Sequence, residues 1–378
     1  MAPYAHARPL KSGDPLLWMI SFLLVAGGVV MIYSASMVIA ESRFGDPAHF
    51  ARKQALYALL GGGLAWYFSR VDLQKLRKWI WPVLALTLLA MAAVLVPSAG
   101  GTINGSKRWI RLAGFSVQPS EFAKLVLVFY LADFIARKKE KIGDFSKGIL
   151  PPLLILTVML GLILAEPDLG SAVIAASVFF LLIFQAGAKL KHLGWLILLG
   201  LPFLYRYLMV GFRRQRILAF MDPWREQGAE GFQIVQSYLA FAGGGPFGTG
   251  LGGSRQKMFY LPEPYTDFIF PVIGEELGLV GTLGVLALFL VLIFRGVRIF
   301  VREKDPFRFY LASGITCLIF IQVFVNICVV TGLFPTKGLP LPFISFGGSS
   351  LWMNLMAVGL LVNLSRGAES QKGREWRQ

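Results

Sequence analysis

Hydrophobic residues are arranged in long runs along most of the chain, separated by short polar segments. A helix of about twenty such residues crosses the hydrocarbon core of a bilayer. These runs are apolar on every face, whereas a helix of a soluble protein is apolar along one stripe. The pattern therefore predicts an all-α, polytopic membrane protein in which residues 1–378 form a single domain. The ten predicted helices cover about 15–37, 52–69, 77–97, 119–136, 149–165, 169–187, 191–210, 268–297, 307–331 and 348–366.

Composition supports this class and excludes a soluble domain. Hydrophobic residues make up 56% of the chain and charged residues 15%, against roughly 45–50% and about 25% in soluble domains. The formal net charge of +16 comes from Lys and Arg clustered between apolar runs, which favours an anionic membrane surface over nucleic acid as partner. Cys317 and Cys328 are too far apart along one predicted helix to form a disulfide. The three histidines have no spacing typical of a metal site.

Basic residues between the predicted helices indicate the orientation in the membrane. Assigned alternately to the two sides, they are more frequent on the side that holds both chain ends, which is therefore expected to be cytoplasmic. The segment 211–267 then lies outside the cytoplasm. It is far longer than loops between bundle helices need to be, it is rich in aromatic residues, and its stretch 231–241 has helical spacing of apolar residues. We predict a folded, partly membrane-embedded cap on the outer face.

The strongest local signal is the run LPEPYTDFIFPVIGEELGLVG, in which Asp267 stands where the long segment becomes the eighth predicted helix. Two interpretations are open. Either Thr266 or Asp267 caps the helix by accepting hydrogen bonds from its first N–H groups, or Asp267 is a carboxylate at the mouth of a cavity, aimed at a substrate. A position at a helix N-terminus among basic residues is expected to favour the ionised carboxylate.

Ionisable residues inside apolar helices are a second signal, because each costs at least a few kcal/mol at the bilayer centre. Glu121 and Lys124 stand three apart on one helix face, which predicts an internal ion pair. Glu121 also lies near the outer end of the predicted helix 119–136, where it would border a polar cavity open to that side. Glu275 and Glu276 lie about two turns after Asp267 and have no obvious local partner.

Three irregular segments separate these helices. Glu166 and Asp168 flank Pro167 in a segment for which a capped tight turn is the simpler interpretation. The glycine-dense run at 242–254 lacks the βαβ unit of a dinucleotide loop, so its glycines are expected to permit tight turns and close backbone approach to a ligand. The run 335–350 contains three prolines and three glycines, and such backbone is tolerated at membrane depth where protein buries it or where it lines a wet cavity. We expect this run and the long segment 211–267 to converge on one outward-facing site.

Several basic residues fall on the outer side, against the general trend. Anchoring to lipid headgroups would explain any one of them. The alternative is an electropositive basin for phosphate or pyrophosphate, for which Arg offers bidentate geometry and Lys a mobile charge. These residues are Lys107, Arg108, Arg111, Arg213, Arg214, Arg216, Arg255, Lys257 and Lys337.

Motifs in a fixed order along nearly the whole chain resemble the SEDS family (shape, elongation, division and sporulation), whose members polymerise the glycan strands of peptidoglycan. The motifs include MIYSAS, NGSKRWI, QPSEFAK, EPDLGSA, RRQRILAFMDPW, QSYLAFAGGGPFGTGLGGSRQKMFYLPEPYTDFIF and PTKGLPLPFISFGGSS. Within the family, GLGGSRQKMFYLPE and FPTKGLPLPFISFGGSS are more similar to the members that act in cell division than to those that act in elongation.

The resemblance implies an enzyme of the bacterial cytoplasmic (inner) membrane. Its substrate would be lipid II, a disaccharide-pentapeptide on undecaprenyl pyrophosphate. The reaction would be β-1,4 glycosyl transfer with inversion and release of undecaprenyl pyrophosphate, in septal wall synthesis or, alternatively, in elongation. A class B penicillin-binding transpeptidase and other divisome membrane proteins would be its partners. The residue before the TDF motif is often His in relatives but is Tyr265 here, which puts any role of an imidazole in doubt.

The resemblance also implies roles for individual residues. The essential acid of the family maps onto Asp267, which would take the proton of the acceptor 4-hydroxyl as a general base. Departure of the pyrophosphate needs positive charge, and a divalent cation such as Mg or Mn could share that task, although no ligand set in the sequence defines its site. The candidates for binding substrate or pyrophosphate are Arg108, Glu121, Lys124, Arg213, Arg216, Gln236, Ser237, Lys257, Lys337 and Ser349.

Two other functions fit part of the pattern. A flippase or transporter for lipid-linked sugars would also have intramembrane charges and broken helices, but it predicts internal symmetry and a polar path to the cytoplasmic side. A division scaffold that only recruits partners would leave Glu121, Lys124 and the motif at Asp267 without a role. The polar motifs gather on the outer half of the predicted bundle, which favours a polymerase.

Overall fold

The computed structural model describes residues 13–96, 100–103, 106–112, 115–225, 231–258, 260–336 and 338–375. Within these residues the secondary structure is dominated by α-helices. They are α1 (Pro15–Phe44), α2 (His49–Phe68), α3 (Leu73–Lys78), α4 (Ile80–Leu95), α5 (Pro119–Lys138), α6 (Leu150–Ala165), α7 (Leu169–Gln185), α8 (Leu190–Leu208), α9 (Phe212–Met221), α10 (Phe232–Gly244), α11 (Ile269–Arg302), α12 (Pro306–Val330) and α13 (Gly348–Glu375). A 3₁₀ turn at Lys139–Lys141 and a π-helical turn at Phe145–Ile149 join α5 to α6.

A helix is present at each of the ten predicted positions. The helices α1, α11 and α13 continue past their predicted ends, because an apolar run marks the depth of the bilayer and a helix can extend beyond it into water. Among the described helices, five are long and apolar enough to cross a membrane by length and composition alone: α1, α6 with its π-helical turn, α11, α12 and the part of α13 up to Arg366. The prediction of an all-α polytopic protein is confirmed.

The centre of the bundle is formed by α5, α12 and α13, most of whose apolar residues are buried. Helix α13 packs along α2, where Gly359 lies so close to the carbonyl of Ala65 that a Cβ would clash with it. Small residues allow such close helix packing in membranes. Helix α8 is the opposite case, because Leu193 is its one buried residue and side chains such as Phe203 (80% exposed) point outward. In a bilayer this apolar surface faces lipid.

A small antiparallel sheet, β1 (Gly100–Ile103), β2 (Ser106–Leu112) and β3 (Phe115–Val117), lies between α4 and α5. This sheet was not predicted from the sequence. The missed signal is Asn104-Gly105, a dipeptide that favours a two-residue hairpin turn. Residues 103 and 106 on either side of it are paired, as are Ile110 and Val117 in the second ladder. The sheet matters for function because β2 carries Arg108.

The long segment 211–267 is folded where it is described. Helix α9 begins it, and α10 confirms the helix predicted at 231–241 and packs against α11. Helix α11 is broken at Gly278, whose backbone has φ 67° and ψ −163°.

The glycine-rich run meets α11 at this break. The amides of Thr249 and Gly250 donate to the carbonyls of Glu275 and Glu276 at 2.9 and 3.0 Å. A Cβ at Gly278 would clash with the backbone of this run. The glycines therefore permit close approach of the loop to α11, and approach of this run to a ligand stays a prediction.

Candidate functional site

A cavity of about 640 Å³ opens at one end of the bundle. Its wall combines the start of α5 and α7, strands β2 and β3, the turn before α11, and the irregular segment before α13. Predicted and unpredicted polar residues meet here because these elements come from distant parts of the chain. The predicted site residues in this wall are Arg108, Glu121, Arg216, Asp267 and Ser349.

Asp267 lies in the turn just before α11. The N-cap of α11 is Phe268, and no side chain caps this helix end. The hydroxyl of Thr266 donates instead to the carbonyl of Glu263 at 2.8 Å. The capping interpretation is therefore wrong for both residues, and the Asp267 carboxyl faces the cavity.

The backbone around Asp267 is held by a buried amide. The Asn326 side-chain nitrogen donates to the carbonyls of Asp267 at 3.1 Å and Leu339 at 2.7 Å, which ties the turn before α11 to the segment before α13. Gly338 faces the Asp267 carboxyl so closely that a Cβ would lie 2.9 Å from Oδ2. A glycine is needed at this position to leave room beside the acid.

The pKa of Asp267 is raised to about 7, mainly by burial and also by the negative charges of Glu263 and Asp168, against the lowering effect of Arg108 and Arg216. This is the opposite of the direction expected from a helix N-terminus among basic residues. The reason is that burial of the carboxylate away from water and the repulsion from two neighbouring acids raise the pKa more than the two arginines lower it. An acid with a pKa near neutrality is suited to accept a proton in a reaction at neutral pH.

Three of the predicted cations meet beside Asp267. A small pocket of about 70 Å³ is lined by Arg108, Arg213 and Arg216 together with Asp168 and Gly338. The Arg108 guanidinium donates to the carbonyls of residues 166 and 167 at 2.7 and 2.6 Å. The Arg213 guanidinium stacks on the ring of Tyr207 at 3.8 Å. These contacts orient two of the arginines from behind, which is what a fixed site for a phosphate group requires.

The turn between α6 and α7 supplies two acids with different roles. Asp168 caps α7 by accepting from the amide of Ser171 at 3.0 Å, as predicted for a capped turn, and it also lines the cavity. Glu166 is buried. Its pKa is raised to about 8, mainly by burial and also by the charge of Asp168, while a hydrogen bond from Ser120 and the charge of Arg108 lower it. At neutral pH, Glu166 is therefore largely a neutral acid.

The predicted ion pair in α5 is present. The Lys124 ammonium lies 2.7 Å from Oε1 of Glu121, and both side chains are buried. Glu121 borders the cavity, whereas Lys124 lies behind it. Oε2 of Glu121 has no hydrogen-bond partner among the described residues. Both interpretations of Glu121, structural pair and cavity wall, are therefore compatible with its position.

Lys257 is not in the cavity wall, and its predicted role in binding pyrophosphate needs correction. Its side chain is fully buried, and its ammonium lies 3.0 Å from Glu276 and 2.6 Å from the carbonyl of Gly252. Glu276 also accepts from the hydroxyl of Ser34 at 2.7 Å. A cation enclosed in this way cannot reach a substrate in the cavity.

Glu275 binds the same loop from its neighbouring position. Its carboxylate accepts from the Ser254 hydroxyl and from the amides of Arg255 and Gln256 at 2.9 and 3.3 Å. Glu275 and Glu276, which have no local partner in sequence, thus both anchor the loop that follows the glycine-rich run. Their role in this structure is to hold the segment 211–267 onto α11.

Gln236 and Ser237 also lie away from the cavity. Both are buried in α10, and the Ser237 hydroxyl donates to the carbonyl of Val330 at 2.5 Å. The residue of α10 that does line the cavity is Gln233, one turn earlier. Ser349 accepts from the amide of Gln118 at 2.9 Å at the start of α13. Lys337 lies outside the described residues.

Four further residues of the wall, not proposed from sequence as site residues, are Arg43, Lys53, Glu263 and Tyr265. Arg43 and Lys53 are exposed basic residues near the junction of α1 and α2; their position on the side predicted to be less basic was the available signal. Tyr265 stacks on Phe50 with ring centroids 4.4 Å apart. It forms part of an aromatic wall.

A metal site is not defined by the chain alone. Among the described residues, no group of three or more His, Cys, Asp or Glu side chains is placed to hold a metal ion. Magnesium usually keeps several waters and is bound by one or two carboxylates plus substrate phosphates. Asp168 and Asp267, both in the cavity wall, fit that kind of shared site.

Comparison with known proteins gives the family. The model of the FtsW, RodA and SpoVE family, described as cell cycle proteins, matches residues 14–370. The "Probable peptidoglycan glycosyltransferase FtsW" of Geobacter metallireducens is 47% identical over 361 residues, covering 95% of this chain and 96% of that protein. Stage V sporulation protein E of Bacillus subtilis is 44% identical over 356 residues, covering 94% and 97%.

Solved structures of related proteins also resemble this chain. A chain from a peptidoglycan synthase complex, solved to describe the structural coordination of polymerization and crosslinking, is 30% identical with a TM-score of 0.76 and covers 95% of this chain and 99% of its own length. The rod shape determining protein RodA of Thermus thermophilus is 26% identical with a TM-score of 0.67, covering 94% and 97%. The fold is thus that of a multi-pass membrane glycosyltransferase. The chain belongs to the FtsW, RodA and SpoVE family, which confirms the SEDS resemblance.

Proposed function

We propose that this protein polymerises peptidoglycan glycan strands from lipid II, in septal cell-wall synthesis during cell division. The observation that carries the proposal is Asp267, an acid with a pKa near neutrality in the wall of a polar cavity, next to a pocket of three arginines. The names of the FtsW relatives support both the enzyme class and the division role. An elongation role with the same chemistry is the alternative.

The reaction needs a base for the acceptor. The 4-hydroxyl of the acceptor sugar is a weak nucleophile, and Asp267 takes its proton as the oxygen attacks the anomeric carbon of the donor. The new C–O bond forms as the bond from that carbon to pyrophosphate breaks. Attack from the side opposite the leaving group inverts the anomeric configuration.

The leaving group needs positive charge. Undecaprenyl pyrophosphate departs with an additional negative charge, which Arg108, Arg213 and Arg216 stabilise from their shared pocket. A magnesium or manganese ion held by Asp168 and the pyrophosphate would supply further charge neutralisation. Glu121 borders the same cavity and Lys124 fixes its carboxylate, so this pair positions one wall of the substrate site.

The proposal is tested by polymerisation of lipid II with purified protein. Asp267→Asn keeps the size of the side chain and removes the base, so we expect at least a roughly hundredfold loss of polymerisation with lipid II binding retained. Glu41→Gln, an exposed acid at the outer end of α1, is the matched control and should keep wild-type activity. Wild-type protein that binds or moves lipid II without making polymer would instead indicate a flippase or a scaffold.

We further propose that the protein works with a class B penicillin-binding transpeptidase and other divisome membrane proteins. The structural similarity to a chain of a peptidoglycan synthase complex supports a transpeptidase partner. Exposed apolar helices such as α8 provide surface for helix–helix contacts in the membrane. Co-purification with the cognate transpeptidase, and faster glycan synthesis when it is added, are the expected results; failure of both with every cellular candidate would contradict the proposal.

A further inference from the structure

The cavity at Asp267 has two distinct ends. One is the pocket of Arg108, Arg213 and Arg216. The other is a neighbouring cavity of about 480 Å³, lined by Arg43, Gln233 and Asp267 among others. These two cavities share no lining residue, and both adjoin the central cavity of about 640 Å³. Substrate groups can therefore approach Asp267 from two directions.

The second end carries its own cations. Arg43 and Lys53 are both exposed and both line the central cavity. They lie on the same side, because Phe44 next to Arg43 stacks on His49 at 4.0 Å and Lys53 is one helical turn after His49. Arg43 also lines the cavity of about 480 Å³, together with the acids Glu263 and Asp267, whereas Lys53 lines the central cavity alone.

The two groups of cations act on different residues. Arg108 and Arg216 are close enough to lower the pKa of Asp267, whereas Arg43 lowers that of Tyr265, two residues earlier. The three-arginine pocket lies directly beside the Asp267 carboxyl, because Gly338, which lines this pocket, faces Oδ2 of that acid. Arg43 and Asp267 meet instead in the separate cavity of about 480 Å³.

Glycan polymerisation requires an enzyme to hold two lipid-linked pyrophosphates at once. The donor pyrophosphate is attached to the carbon under attack, so it must lie close to the base. The acceptor pyrophosphate is at the far end of a disaccharide whose other end carries the attacking 4-hydroxyl. A second anion site is therefore required at a distance from the base and away from the first.

We propose that Arg43 and Lys53 bind the pyrophosphate of the acceptor lipid, and that the acceptor subsite comprises the cavity of about 480 Å³ together with the adjoining part of the central cavity that Lys53 lines. The pocket of Arg108, Arg213 and Arg216 is then the donor subsite. This assignment rests on the proposed polymerase function and deepens it. Asp267 lies in the wall that the central and acceptor cavities share, where it can meet the acceptor hydroxyl.

Two lipid II analogues separate the subsites. A donor-only analogue lacks the 4-hydroxyl of its terminal sugar, and an acceptor-only analogue has a non-hydrolysable carbon link in place of the anomeric oxygen to pyrophosphate. Together they form one glycosidic bond. We expect Arg43→Gln/Lys53→Gln to raise KM for the acceptor-only analogue about tenfold or more, because charge-assisted contacts are lost, with KM for the donor-only analogue unchanged.

Arg52→Gln removes an exposed cation next to Lys53 that does not line these cavities and should leave both KM values unchanged. Equilibrium binding of the acceptor-only analogue should show the same contrast without turnover. An unchanged acceptor KM, as expected if Arg43 and Lys53 contact only phospholipid headgroups, or a change confined to the donor analogue, overturns the assignment. Wild-type protein that makes no polymer from lipid II overturns the proposed function itself.

Discussion

At the scale of single residues, the properties of the site depend on burial more than on residue type. Asp267 and Glu166 are carboxylic acids raised to pKa values of about 7 and 8 by their surroundings, while Glu121 is matched by a lysine at 2.7 Å. Acids close together in the structure therefore differ in their protonation at neutral pH. Enclosure by protein gives Asp267 a pKa near neutrality, as a catalytic base requires.

The raised pKa of Asp267 predicts a pH dependence of the reaction. The base is the carboxylate, which is populated above a pKa of about 7 and lost below it. Polymerisation should therefore rise as pH increases through 7 and level off above it, falling by about tenfold per pH unit on the acid side. Initial rates with lipid II across the pH range measure this; a rate that stays constant well below pH 6 would exclude Asp267 as the base.

At the scale of elements, the break in α11 organises the outer part of the molecule. Gly278 interrupts the helix, the glycine-rich run bonds to its freed backbone, and Glu275 and Glu276 hold the following loop. Helix α10 packs on the same part of α11. The segment that carries Asp267 is therefore attached to the bundle on both sides of the turn.

The buried pair of Lys257 and Glu276 should contribute to stability. Removing one partner leaves an uncompensated charge, so Lys257→Met or Glu276→Gln is expected to destabilise the protein by ~3–5 kcal/mol, and the double variant by less than the sum. Thermal unfolding in detergent measures the effect. Arg255→Gln alters an exposed side chain of the same loop and should be neutral. Single variants as stable as wild type would show that the pair does not anchor the loop.

At the scale of the whole molecule, function requires the cavity to open outside the cytoplasm, where the proposed acceptor and donor sugars are. The basic residues at the ends of the helices favour cytoplasmic termini. In that orientation the segment 211–267, the sheet and the cavity all lie on the outer face.

Thiol labelling tests the orientation. In a background with Cys317 and Cys328 replaced by Ala, Arg225→Cys should react with an impermeant reagent in intact cells, because residue 225 is exposed in the long segment. Lys141→Cys, exposed in the connection between α5 and α6, should react only after the membrane is opened. The reverse pattern would contradict both the orientation and the proposed mechanism.

Sequence alone determined the features that are local. The ten helices follow from apolar runs, since each span must satisfy its own backbone hydrogen bonds and contact lipid wherever the chain goes. The Glu121–Lys124 pair and the Asp168 cap were also predictable, because in each case the two partners are only three residues apart in the sequence. Asp267 was identified from its motif.

The tertiary structure decided which distant residues meet. Lys257 and Arg216 look alike in sequence, yet one is enclosed by Glu276 and the other lines the cavity. Arg43 and Lys53 join the site only because α1 ends and α2 begins beside the turn that carries Asp267. The pKa of Asp267 depends on the same packing, since desolvation is set by all the surrounding protein while the helix terminus acts only over one turn.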